Sequence, residues 1–278
     1  MIQVLLIFAH KGHRDMLGNL DNEVIFKKAF TDKIVFKAFV HDILGIDIEV
    51  DKIETEKRFQ PKVGRVDFSL DIFAESVDKR VIVEIQRVPY DYNFDRFLHY
   101  FLMAITEQQE SSRKYNIERT VYVIVVMTAP YRFDTKKGDA VRDEVLLLKM
   151  NPKTLAGIER DLYGHQLVCL NPNHPDSDTP PQIRDWLDLI YQSMHSPERP
   201  MLNERNPGVK RAASLIDYTN LTPEERSLAK DEASKVTFLA LEHLEAMKKV
   251  GAKLKASGID IQIIIDSTGL SREDVEAL

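Results

Sequence analysis

"FSLDIFAESVDKRVIVEIQR", residues 68–87, decides how the rest of the chain is read. Apolar residues recur at every second position, at Phe68, Leu70 and Ile72 and again at Val81, Val83 and Ile85. That period of two predicts two β-strands separated by a polar turn. A turn centred on Val77–Asp78 makes them a hairpin that sets Asp71 opposite Glu84 and Ser69 opposite Gln86. Directly opposed residues have Cβ atoms about 5 Å apart, and two carboxylates at that spacing repel. A shared divalent cation resolves the conflict, because Mg²⁺ takes hard carboxylate oxygens and keeps positions for water and phosphate. Asp67, two pairs along on the same face, is a secondary ligand by this reading. The competing reading is an antiparallel sheet whose acidic face simply meets water.

Outward from the hairpin, "DNEVIFKKAFTDKIVFKAFVHDIL" (residues 21–44) carries a loose helical stripe of Val24, Phe26, Phe30, Ile34, Val35, Phe39 and Ile43. Lys27, Lys28, Lys33 and Lys37 fall on its other faces and read as a solvated surface. "NFDRFLHYFLMAITEQQ" (93–109) reads as an apolar helix, and "TVYVIVVMTA" (120–129) as a strand buried on both faces. Helix, strand, strand, helix, strand indicates helices packed on a mixed sheet. "DEVLLLKM" (143–150) and "HQLVCL" (165–170) suggest further short strands, and "NPNHPDSDTPPQ" (171–182) is a loop by composition. After a boundary near "SPERPMLNERNPG" the chain turns helical, with Thr222 as N-cap, Pro223 as first helical residue and Glu225 completing a capping box. Gly269 sits in a turn between two short helices. The last of these carries Glu273, Asp274 and Glu276 against Arg272, which phosphate would repel, so it reads as a packing element or a contact between two copies.

The formal net charge of −6 over 278 residues excludes a protein that coats nucleic acid electrostatically, while leaving room for a local basic groove. The single cysteine, Cys169, precludes an intramolecular disulfide, fits a reducing compartment and reads as a small core residue. No apolar run approaches the roughly 18 residues of a membrane span, and the start lacks a basic leader region. A cytoplasmic location is the expectation. His10 and His13 have a metal-pair spacing with nothing nearby to complete a site.

The run from Gly64 to Ile105 resembles the core of the PD-(D/E)XK nuclease superfamily, and more narrowly its Rpn-like branch, the PD-(D/E)XK nuclease family transposases. That branch carries an Asp on one strand, Glu-x-Gln on the next and Arg-x-x-x-Tyr on the following helix. Here those are Asp71, Glu84 with Gln86, and Arg96 with Tyr100. "EVIFKKAF" (23–30) is similar to the family's opening helix, making Glu23 a minor candidate, and "IIIDSTGLSREDVEAL" (263–278) is similar to its usual tail.

The resemblance implies an α/β, restriction-endonuclease-like core, a mixed central sheet flanked by helices in the order α-β-β-β-α-β, with a helical C-terminal extension. The implied layout is an extension over residues 1–19, the nuclease-like domain over 20–200, a linker over 201–215 and a helical region over 216–278. Residues 1–15 resemble nothing in the family, and Met16 is the expected initiator. The implied activity is metal-dependent DNA cleavage. Asp71, Glu84 and Gln86 would be catalytic, Mg²⁺ the cofactor (Mn²⁺ or Ca²⁺ as substitutes) and DNA the partner, in recombination or mobile-element movement. Gln86 stands where the superfamily has a lysine. An amide donates hydrogen bonds but carries no charge, so Arg96 is expected to supply the cation, with Arg87 on the opposite face. Two rivals remain: a DNA-binding or protein-interaction scaffold that does not cut, and a hydrolase using the carboxylates for acid–base work on a glycoside.

Overall fold

The structure of the protein is a computed structural model that describes residues 16–59, 68–87, 93–109, 116–129, 133–134 and 140–278. Strand β1 (Ile53–Phe59) opens the sheet, and β2 (Phe68–Glu75) and β3 (Lys79–Gln86) form the hairpin. Its register is the expected one, Ile72 pairing with Val83 and Glu75 with Arg80. The apolar pattern alone does not show β1, the strand that the implied α-β-β-β-α-β order adds, for a physical reason. "IETEKRF" has no apolar face, and as an edge strand it needs none: charges there discourage pairing with another chain.

Helix α1 (Glu23–Phe30) and helix α2 (Lys33–Leu44) replace the single stripe expected upstream. The break comes at Asp32, whose carboxylate caps α2 by accepting from the backbone N–H groups of Ile34 and Val35. Helix α3 (Asn93–Thr106) is the crossover that lets β4 (Thr120–Met127) lie parallel to β3. The two-residue strands β5 (Phe133–Asp134) and β6 (Ala140–Val141) pair only with each other. Strands β7 (Val145–Lys149) and β8 (Gln166–Leu170) complete a six-stranded mixed sheet in the order β1-β2-β3-β4-β8-β7. Along α3, Phe97, Tyr100, Phe101, Ala104 and Ile105 pack on Phe73, Ile82 and the β4 residues Val121, Val123, Val125 and Met127. The element order α-β-β-β-α-β is the one expected.

Helix α4 (Pro181–His195) follows the proline-rich loop, and α5 (Pro207–Ile216) lies within the stretch read as a linker. Both are bound into the first compact unit, which ends at Thr222. Trp186 of α4 is fully buried and donates its indole N–H to Asp42 of α2 at 2.7 Å. Gly208 of α5 is required to be small, since a Cβ there would stand 2.5 Å from Ala38 Cβ and 2.9 Å from Trp186 Cζ2. The ends of the unit meet: Leu17 forms a β-bridge with Asp217, and Tyr218 N–H donates to Met16 O at 2.8 Å.

The second unit, Pro223–Leu278, contains α6 (Pro223–Ala256), α7 (Ile261–Thr268) and α8 (Arg272–Ala277). Its small core is Ile264, Leu270 and Val275, with Met247 and Leu254 of α6 packed against it. Gly269, at φ 67°, takes the left-handed turn between α7 and α8 as expected. No helix among the described residues is long and apolar enough to cross a membrane.

Candidate active site

The β2–β3 ladder ends at the Ile72–Val83 pair, and beyond it side chains take over from the backbone. Asp71 N–H donates to Glu84 Oε1 at 3.0 Å, and Ile85 N–H donates to Asp71 Oδ2 at 2.9 Å. Each carboxylate thus accepts the amide that the other strand would otherwise leave without a partner. One oxygen of each acid is fixed in this way, which also fixes the direction of the second.

Glu84 is only 1% exposed. Burial pushes its carboxyl well above the usual range, and the charge of Asp71 adds to the push. Asp71 is raised too, chiefly by burial, with the Ile85 N–H opposing and Glu23 reinforcing. A buried acid and a half-buried one, with the charge of Asp71 disfavouring the ionised form of Glu84, make a site that gains from a cation.

Glu23 reaches this pair from the first turn of α1 and binds two cations, Lys27 Nζ at 2.5 Å and Arg87 Nη2 at 2.9 Å. Lys27 is therefore not part of a solvated face: its side chain is 16% exposed, and it also pairs with Glu56 of β1 at 3.1 Å. Arg87 does not turn away as expected either. β3 ends at Gln86, so the strand's alternation no longer governs the next residue.

From α3, Arg96 Nη1 donates to Gln86 Oε1 at 3.3 Å and Arg96 Nε donates to Tyr100 Oη at 2.8 Å. The helical spacing of four brings Arg96 and Tyr100 together, and the guanidinium lies over the Tyr100 ring, 5.2 Å from its centroid. A guanidinium has only donors, so it orients Gln86 with the carbonyl end toward α3. The backbone carbonyl of Gln86 accepts from Thr128 N–H at 3.0 Å. The Thr128 hydroxyl donates to Asp21, a carboxylate raised by burial that the sequence reading did not single out. Only contact across 107 positions brings Asp21 here, and no local pattern announces it.

The structure thus brings together Glu23, Asp71, Glu84, Gln86, Arg96 and Tyr100. Asp67, His10 and His13 lie outside the described residues. Glu23 is engaged by Lys27 and Arg87, and among the described residues no group of three or more His, Cys, Asp or Glu side chains is placed to hold one metal ion. The donor set is instead two hard carboxylates, which suits an ion that keeps several waters. Cys169 is buried, and burial pushes its thiol up to about 12, as for a core residue.

No curated protein and no solved structure matches the chain. The model of one family, described as PD-(D/E)XK nuclease family transposase, matches residues 21–238, a span that holds the carboxylate pair, Gln86 and both helices that reach them. The chain belongs to the PD-(D/E)XK nuclease family transposases.

Proposed function

We propose that the protein is a metal-dependent DNA endonuclease, serving recombination or mobile-element movement. The observation that carries this reading is the pair Asp71 and Glu84, the first half-buried and the second buried, set side by side with one oxygen of each tied to the opposite strand. Asp71 and Glu84 would hold Mg²⁺, or Mn²⁺ or Ca²⁺ in its place, with Asp67 as a secondary ligand. The ion's contribution when bound is to polarise a phosphate and make water a nucleophile at neutral pH. The protein's part is positioning. The two backbone N–H bonds lock both carboxylate rotamers before substrate arrives, so little reorganisation remains at the moment of reaction. Arg96 holds the Gln86 amide in one orientation, and Tyr100 holds Arg96.

Supercoiled plasmid incubated with the purified protein, in Mg²⁺ and in EDTA, tests the proposal. The expected result is metal-dependent nicking or linearisation that disappears in Glu84→Ala. No cleavage in any divalent ion by folded protein favours the scaffold reading, for which Gln86 and the net charge of −6 are the supporting features. The scaffold predicts DNA binding that survives Glu84→Ala. The raised carboxyl of Glu84 also suits acid–base hydrolysis of a glycoside. That reading requires activity on a glycoside that persists in EDTA.

A further inference from the structure

Glu56, in the middle of β1, has a φ of 55°, and among the described residues it is the one non-glycine residue with positive φ. A residue with a Cβ is strained there. The β1–β2 register pairs Thr55 with Ile72 and Lys57 with Leu70, and so passes over Glu56 and Asp71, which stand opposite each other. The distorted strand position is therefore the neighbour of a motif carboxylate.

What the distortion achieves is a contact to Lys27, at 3.1 Å from the Glu56 carboxylate. Glu56 is 72% exposed, and an ion pair with one exposed member contributes little to stability. That does not offset the strain, so stability does not explain the arrangement. Its geometric result does: Lys27 is strung between Glu23 at 2.5 Å and the strand position facing Asp71. Lys27 there favours the ionised forms of both Asp71 and Glu84, alongside Arg96.

We propose that Glu56 is a positioning residue that holds Lys27 beside the carboxylate pair, and that Lys27 supplies from α1 the positive charge Gln86 cannot. Lys27, with Arg96, would then face the negative charge that develops on the phosphate. This rests on the nuclease reading above. It adds a cation source and a strained support that the motif residues do not include.

Two variants and two readouts test it. Lys27→Met is expected to slow single-turnover plasmid cleavage in Mg²⁺ by about a hundredfold, the low end of the range for removing one preorganised charge-stabilising donor. DNA affinity measured in Ca²⁺ should change little. Glu56→Gly keeps the kink, because glycine is at ease at this φ, and deletes only the carboxylate. It is expected to slow cleavage while the thermal midpoint holds or rises, and to add no further loss in the Lys27→Met background.

In metal-free protein, competitive acetylation read by mass spectrometry should show Lys27 modified severalfold faster in Glu56→Gly, with Lys33 unchanged. Full cleavage rate in Glu56→Gly, unchanged Lys27 labelling, or additive losses in the double variant would each overturn the inference while leaving a cutting wild-type protein as a nuclease. A wild-type protein that cuts in no divalent ion overturns the nuclease reading, and the inference falls with it.

Discussion

Burying Glu84 against Asp71 opposes folding whenever both are ionised, and the effect has a definite sign with pH. Both carboxyls are raised in the folded protein, by burial first, above the ordinary values near 4 that apply to the unfolded chain. Over the window between those ordinary values and the raised ones the folded state binds more protons. The favourable contribution is therefore complete below the ordinary values and is lost as pH rises through the raised ones. His165 acts in the other direction. Its Nδ1 accepts from Val121 N–H at 2.9 Å and burial lowers its proton affinity, so its contribution is present above about 6.5 and lost as pH falls. Subtracting the thermal midpoints of wild type from those of Glu84→Gln in EDTA cancels the His165 term. The expected difference favours Glu84→Gln and grows as pH rises. Saturating Mn²⁺ should shrink it, because a bound ion stabilises only the pair that holds it.

Elements here succeed or fail at particular junctions. Asp32 both caps α2 and pairs with Arg211 of α5 at 2.6 Å. Asp32→Ala should lower unfolding free energy by about 1 kcal/mol from the lost cap, measured by urea denaturation. Gly208→Val drives a side chain into Ala38 and Trp186 at the meeting of α2, α4 and α5, and should destabilise by about 1–3 kcal/mol or prevent folding. The same junctions show what the sequence made legible. The hairpin and its register were readable because alternation and a polar turn are local signals. Asp71, Glu84 and Gln86 were visible as polar residues that the hairpin register sets on one face, while it was the family resemblance, not spacing, that singled out Arg96 and Tyr100. β1 was not, since an edge strand carries no hydrophobic period. Lys27 reads as solvated and Arg87 as facing away because neither local pattern shows the distant carboxylate that claims it. The backbone of Glu56 was out of reach altogether, because nothing in a glutamate announces a left-handed φ.

At the scale of the molecule, the two compact units imply two unfolding events. Residues 223–278 have a core of three buried apolar side chains, against the many that line the sheet of the first unit. Ending the chain at Thr222 should leave the main calorimetric transition in place and remove a smaller one. The first unit has a further property, set by where its ends lie. Leu17 bridges Asp217, and Gly18 N–H donates to Ile216 O at 2.7 Å. The segment that leads into α1 therefore completes its seat only when residue 217 has been made, after Ser193 and Pro197 have accepted from the N–H groups of Leu20 and Leu17. At ribosomal rates of about 5–20 residues per second, that delay is roughly 10 to 40 s. The Asp71–Glu84 hairpin can close early, from neighbouring sequence alone. Glu23 and Lys27 are made first, yet the helix that carries them completes its packing only against α5, so the nascent chain can close its carboxylate hairpin before the flanking helix is fully seated.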